Sequence, residues 1–178
     1  MNEENFINDE QLIAQVGGGD LKAMEELFNR YYEKLCIFAW KILKDKDNCE
    51  DVVADLFFNI WQKKNSVNIS SSVRAYLYVS VRNRAINFLQ ANKKLIDDSE
   101  LNNDSDSFLA EEDDFIAAIE NEEEVEKILN KLPEKKRIIF RLKVIDGLRY
   151  KEIAEILSIS VNTVQNHMVQ AFKILSDK

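Results

Sequence analysis

The sequence predicts an all-α protein built as two small helical domains joined by a flexible acidic linker, and three observations predict it. Only 4 Gly and 1 Pro occur in 178 residues, too few for the turns of a strand-rich chain. Apolar residues recur at three-to-four spacing in both halves, the period of helices that bury one face. Charge then divides the chain: residues 1–94 balance 13 cations with 13 anions, residues 95–124 hold 13 anions and no cation, and residues 125–178 hold 11 cations and 6 anions. The opening of the middle block is too polar and self-repelling to offset its ordering entropy. Residues 95–114 therefore read as linker, with domains at 1–94 and 115–178.

Composition excludes several classes. At 46% hydrophobic and 31% charged, the chain fits a soluble globular protein. No apolar run reaches the roughly 18 residues of a membrane span, and Met1, Asn2, Glu3 and Glu4 do not open a secretory signal. A cytoplasmic location is expected. Two cysteines, Cys36 and Cys49, cannot staple a fold of this size, and the one histidine, His167, cannot build a His-rich metal cage. Gly17-Gly18-Gly19 lacks the Lys-Ser/Thr and preceding strand of a phosphate-cradling loop, and no nucleophile-base constellation occurs. No enzyme activity, cofactor, metal or small-molecule substrate is expected.

In the first half, Asp20 can cap a long helix in which Ala23, Met24, Leu27, Phe28, Tyr31, Leu35, Phe38, Ala39 and Ile42 form the apolar side. A second helix begins near Asp47 and Asn48. Val52, Val53, Leu56, Phe57, Ile60 and Trp61 fall on one side, while Glu50, Asp51, Asp55 and Asn59 gather on another. The serine- and asparagine-rich stretch 65–72 reads as a loop that caps a third helix, Val73 to about Gln90. Its stripe is Val73, Leu77, Val81, Ala85 and Phe88. Arg74, Tyr76, Tyr78, Arg82, Asn83, Arg84 and Asn87 are expected outside, with Lys93 and Lys94 beyond. Cations that neutralise phosphates, amides that read base edges and rings that stack on bases suit a nucleic-acid surface. Core tyrosines with wet hydroxyls and solvated arginines would give the same spacing.

In the second half, Leu132, Pro133 and Glu134 open a helix continued by Ile138, Ile139, Leu142 and Ile145, and Asp146 and Gly147 stop it. A short helix, Tyr150 to Leu157, turns Ile153, Ala154 and Leu157 inward. After the turn Ser158-Ile159-Ser160, Ser160 can cap a last helix with Val161, Val164, Met168, Ala171 and Leu175 as its stripe. Asn162, Thr163, Gln165, Asn166, His167, Gln170 and Lys173 are left outward. Short helix, tight turn and polar-faced helix make the helix-turn-helix pattern, whose second helix enters the major groove by its N-terminal residues. An ordinary helical hairpin shares the apolar spacing.

Taken together, these stretches resemble the bacterial RNA polymerase sigma factors of the extracytoplasmic-function (ECF) group, small two-domain members of the sigma-70 family. Gly19-Asp20-x-x-Ala23-Met24-x-x-Leu27-Phe28-x-x-Tyr31-Tyr32 looks like the opening of region 2. Asn48-Cys49-Glu50-Asp51-Val52-Val53-Ala54-Asp55-Leu56-Phe57 through Trp61 is similar to region 2.2. Ala75-Tyr76-Leu77-Tyr78 and Arg82-Asn83-x-Ala85-x-Asn87 look like regions 2.3 and 2.4. Leu132-Pro133-Glu134, Gly147-Leu148-Arg149-Tyr150-Lys151-Glu152-Ile153-Ala154 and Val161-x-Thr163-Val164 match region 4. Three departures stand out. Ala54-Asp55 replaces a frequent Gln-Glu, Tyr76 replaces a common Trp, and Ser158 occupies the turn position where glycine is frequent. A left-handed serine there costs about 1 kcal/mol more than glycine.

The resemblance implies a promoter-specificity subunit with no bond chemistry of its own. Glu50, Asp51, Asp55, Phe58 and Trp61 would bind core RNA polymerase. Asn65, Asn68, Tyr76, Tyr78, Arg82, Asn83, Arg84 and Asn87 would read and open the -10 element. Arg149, Ser160, Asn162, Thr163, Gln165, Asn166, His167 and Lys173 would serve the -35 element. The family further implies promoter DNA as partner, an anti-sigma factor that is often membrane-anchored, and a free monomer. The acidic linker would keep the free protein off DNA by repelling phosphates or covering basic surfaces. Two rivals are a stand-alone helix-turn-helix regulator, which would dimerise on paired half-sites, and a helical adaptor that binds protein alone.

Overall fold

The computed structural model describes residues 7–64, 69, 72–96 and 127–176, with side chains of the fourth helix as far as Asn92. Every regular element among the described residues is an α-helix. The chain divides into two compact units, Met1–Asp97 and Asp98–Lys178, and each has its own core. Among the described residues, no helix is long and apolar enough to cross a membrane.

The first unit contains α1 (Asp9–Gly17), α2 (Leu21–Leu43), α3 (Lys46–Gln62) and α4 (Val73–Ile96). Helix α1 escapes a periodicity argument because its nine residues bury only two apolar side chains, Leu12 and Val16. It starts with a capping box: Asn8 Oδ1 accepts from the Gln11 amide at 2.8 Å, and Gln11 Oε1 accepts from the Asn8 amide at 3.0 Å. Its first residue, Asp9, is buried and holds three helices together. The Tyr31 hydroxyl donates to its carboxylate, Arg30 Nη1 lies at 2.7 Å, and Arg74 Nε of α4 lies at 3.6 Å. Burial, followed by the bond to Asp9, raises the Tyr31 phenol well above its ordinary range.

Gly19 takes a left-handed φ of +87° between α1 and α2, where any side chain would be strained. Asp20 then caps α2 as expected, accepting from the amides of Lys22 and Ala23 at 2.8 and 3.3 Å. Leu27, Leu35 and Ala39 are fully buried, and Phe28 meets Phe57 of α3 edge-on at 5.0 Å. The cap of α3 is Asp45, which accepts from the Asn48 amide at 2.9 Å, so the helix begins slightly before the expected Asp47. Ser72 Oγ caps α4 through the Ala75 amide at 3.1 Å. Helix α4 runs to Ile96, so positions 95 and 96 are helical rather than linker. The rest of the expected linker, 97–114, lies outside the described residues. Cys36 and Cys49 are free thiols in this core, and burial pushes them up to about 11 and about 12.

The second unit contains α5 (Glu134–Val144), α6 (Tyr150–Leu157) and α7 (Val161–Ser176). Pro133 sits at the N-cap with Glu134 as first helical residue. The amides of Lys136 and Arg137 both donate to its carbonyl at 2.9 Å. Gly147, at φ 69°, turns the chain out of α5, and the fully buried Leu148 follows. Helix α6 opens with the Arg149 amide donating to Glu152 Oε2 at 2.6 Å. It buries Ile153, Ala154 and Ile156, while Leu157 is only half-buried. That corrects the expected inward set: Ile156 stands one turn after Ile153 on the same side, and α6 packs on both α5 and α7. Ser158 adopts the left-handed conformation, φ 55° and ψ 42°, so the turn is not shifted to avoid it. Ser160 Oγ then accepts from the Thr163 amide at 3.0 Å, capping α7 as expected. Val164, Met168 and Ala171 are its buried stripe.

Candidate nucleic-acid and partner interfaces

Helix α3 turns Cys49, Val52, Val53, Leu56, Phe57 and Ile60 into the core. Its opposite side carries Asp51, Ala54, Asp55 and Phe58, all exposed and spaced to share one helical face. Phe58 is 57% exposed, a large apolar ring among carboxylates with no fold-internal reason to be there. Glu50 borders this face and pairs with Lys46 at 3.8 Å. Trp61 borders it at the other end, half-buried, with Lys64 Nζ 3.9 Å from its ring centroid. The structure thus gathers Asp51, Asp55 and Phe58 and leaves Glu50 and Trp61 at the margins.

Helix α4 presents Tyr76, Asn83 and Asn87 at offsets of seven and eleven, which share a face; both asparagines are exposed and Tyr76 is half-buried. Arg82 and Arg84, also half-buried, flank that face. Gln90 is exposed on it too; the sequence reading passed over it, although its offset of seven from Asn83 was available. Tyr78 is the correction. It is fully buried and its ring meets Phe38 edge-on at 5.2 Å. The reason is its position three before Val81 and seven before Ala85, on the inner side of the helix. Asn65 and Asn68 lie outside the described residues.

Helix α7 exposes Asn162, Gln165 and Asn166 at its N-terminal end and Lys173 farther along. Ser160 and Thr163 are partly committed to each other, with their hydroxyl oxygens 2.7 Å apart. Arg149 is exposed at the start of α6. His167 is only half-buried rather than outward. Its Nδ1 is shut off from solvent with no hydrogen-bond partner. Its pKa is lowered first by burial, then by the charges of Lys136 and Lys135. Among the described residues, no group of three or more His, Cys, Asp or Glu is arranged to hold a metal ion.

Family comparison accounts for both units. Residues 27–95 match the model described as Sigma-70 region 2, and residues 122–175 match Sigma-70, region 4. The ECF RNA polymerase sigma-E factor of Haemophilus influenzae is 28% identical over 185 residues, covering 97% of this chain and 95% of that protein. The chain is an ECF sigma factor of the sigma-70 family. As such it binds core RNA polymerase and directs promoter-specific initiation of transcription. The Pseudomonas aeruginosa RNA polymerase sigma-H factor is another relative of this sigma factor, 26% identical over 173 residues, covering 92% of this chain and 89% of that protein. In fold, the sigma factor is similar to CnrH, solved in complex with the cytosolic domain of CnrY. The TM-score is 0.57 at 23% identity, and 94% of each chain is covered. It is equally similar to the sigma factor RpoE of Bartonella quintana, solved with the anti-sigma factor NepR. There the TM-score is 0.57 at 21% identity, with 89% of this chain and all of that one covered.

Proposed function

We propose that the two units divide the work of this sigma factor as follows. The α3 face of Asp51, Asp55 and Phe58, bordered by Glu50 and Trp61, docks on core polymerase through one apolar anchor within an acidic surround. Helix α4 meets the -10 element. Its exposed amides Asn83 and Asn87 contact bases, Arg82 and Arg84 neutralise backbone phosphates, and Tyr76 offers a ring to an unstacked base. Asn65 and Asn68, in the segment before α4, belong to this same contact, holding an extruded base while α4 holds its neighbours. Extruding a base costs a few kcal/mol, and docking on polymerase helps supply it. Tyr78, buried against Phe38, belongs to the core and does not touch DNA.

Helix α7 reads the -35 element in the major groove through Asn162, Gln165 and Asn166, amides whose donor and acceptor match adenine N7 and N6. Ser160, Thr163 and Arg149 position the backbone. The single observation that carries this reading is that two separately packed units each expose an amide-rich helical face. The protein acts in the cytoplasm as a monomer when free, performs no bond chemistry and needs no cofactor. By analogy with the solved CnrH and RpoE complexes, an anti-sigma factor holds it inactive, some family members using a membrane-anchored one.

Transcription by purified core polymerase from a library of genomic fragments tests the proposal. Specific transcripts that depend on this chain, with protection at two elements upstream of each start, are expected. Transcription that ignores its addition refutes it.

A further inference from the structure

The exposed side of α7 carries an apolar side chain that reading by amides leaves unused. Val169 is 68% exposed. It follows Asn162, Gln165 and Asn166 by seven, four and three residues, so all four share one helical face. Side chains at offsets 0, 3, 4 and 7 are the set with which the reading helix of a homeodomain reaches base edges. Lys173, also exposed, stands four residues beyond Val169 at the far end of the face. Neither packing nor helix formation calls for valine here, because a β-branched residue lowers helix propensity and this one buries little of its surface. Phe172, three residues on and 54% exposed, differs in that its ring meets Phe140 of α5 edge-on at 5.5 Å. That contact ties Phe172 to the fold of the second unit.

We infer that Val169 is a specificity-determining residue, packing its side chain against the C5-methyl group of a thymine in the upstream promoter element. The inference rests on the -35 reading proposed for α7. Base edges in the major groove offer donors and acceptors, and the thymine methyl is the one apolar group among them. Valine can neither neutralise a phosphate nor bond a polar base edge, so this methyl is the groove partner that suits it. Its two γ-methyl groups are held by a stiff χ1, and little side-chain freedom is lost on contact. Seven residues of α-helix span about 10 Å, the length of about three base pairs. The thymine therefore lies within about three base pairs of the base that Asn162 contacts. Asn162, Gln165 and Asn166 select adenine by paired hydrogen bonds, whereas Val169 selects thymine over cytosine by apolar contact.

The test uses the full chain bound to core polymerase and a promoter fragment recovered by the transcription selection. Each thymine of the protected upstream element is replaced in turn by deoxyuridine, which keeps every hydrogen-bonding group and lacks only the methyl. At one thymine the parent is expected to lose about fourfold in promoter affinity, the worth of burying one such group. Val169→Ala should bind the unmodified fragment more weakly, and at that thymine the exchange for uracil should then make little further difference. Alanine is the stronger helix former, so α7 is retained, and affinity for core polymerase should equal the parent's. A parent insensitive to uracil at every thymine, an element without thymine, or a variant as sensitive as the parent overturns the methyl contact. Protection of the upstream element in those cases leaves the -35 reading in place. A variant that loses affinity for core polymerase assigns Val169 to a protein-binding surface beside Phe172 and also overturns the contact. No protection of an upstream element by the parent sinks the -35 reading itself, and the inference with it.

Discussion

Asp9→Ala tests whether a single buried carboxylate holds α1, α2 and α4 together. The substitution leaves the Tyr31 hydroxyl, Arg30 and Arg74 without the acceptor that they share. Breaking a fully buried ion pair costs about 3–5 kcal/mol, and orphaning a buried hydroxyl costs about 1–3 kcal/mol. Water recovers part of this, because the side chains of Arg30 and Arg74 are 18% and 40% exposed against 9% for Asp9. A net loss of about 3 kcal/mol follows from these principles. With a urea slope of about 1–1.5 kcal/mol/M for a unit this small, the midpoint falls by about 2–3 M. Both tryptophans, Trp40 and Trp61, lie in the first unit, so tryptophan fluorescence follows its unfolding alone. Far-ultraviolet circular dichroism reports both units and should retain an unshifted transition from the second. A fluorescence midpoint lowered by less than about 0.5 kcal/mol equivalent would show that Asp9 is solvated like any surface acid, and the reasoning would fall.

Phe58→Ala is expected to weaken binding to core polymerase by about 2 kcal/mol, the cost of truncating an aromatic anchor, or about thirtyfold in Kd. Its unfolding midpoint should not move, and a titration of labelled protein that finds Kd unchanged removes Phe58 from the interface. Ser158→Gly relieves the left-handed serine between α6 and α7. It should stabilise the second unit by about 0.5 kcal/mol, strain relief of about 1 kcal/mol being partly offset by the entropy of unfolded glycine; thermal unfolding that shows a loss contradicts this. Tyr31 has a folded pKa raised above its unfolded value of about 10. Its contribution is complete below pH 10 and disappears as pH rises toward the folded value. The first unit should lose stability in that alkaline window, and Tyr31→Phe should reduce the loss; identical pH profiles for the two chains would refute the assignment.

Much of this architecture was legible because local chemistry announced it. Asp20 and Ser160 cap their helices through the predicted side-chain oxygens, and the stripe Val164, Met168 and Ala171 is buried where the period places it. The acidic side of α3 could likewise be read from helical spacing. Helix α1 could have been found from Asn8 and Gln11 but not from hydrophobicity, since two buried residues are too few to define a period. Ser158 shows the opposite limit: its left-handed geometry was foreseeable from the turn, but whether the chain would accept the strain or shift the turn was not.

The sequence by itself determined the helical class, the acidic break in charge and the identity of the side chains that fall on each helical face, because spacing of 3.6 residues per turn acts within one element. Tertiary structure alone decided how wide each buried arc is. Contact between α2 and α4 took Tyr78 into the core with Phe38, packing of α6 on two neighbours buried Ile156, and the meeting of α1, α2 and α4 turned Asp9 from a helix-start acid into a shared buried partner. Position on a helix depends on nearby residues in the chain, whereas depth of burial depends on what packs against it from far away in sequence.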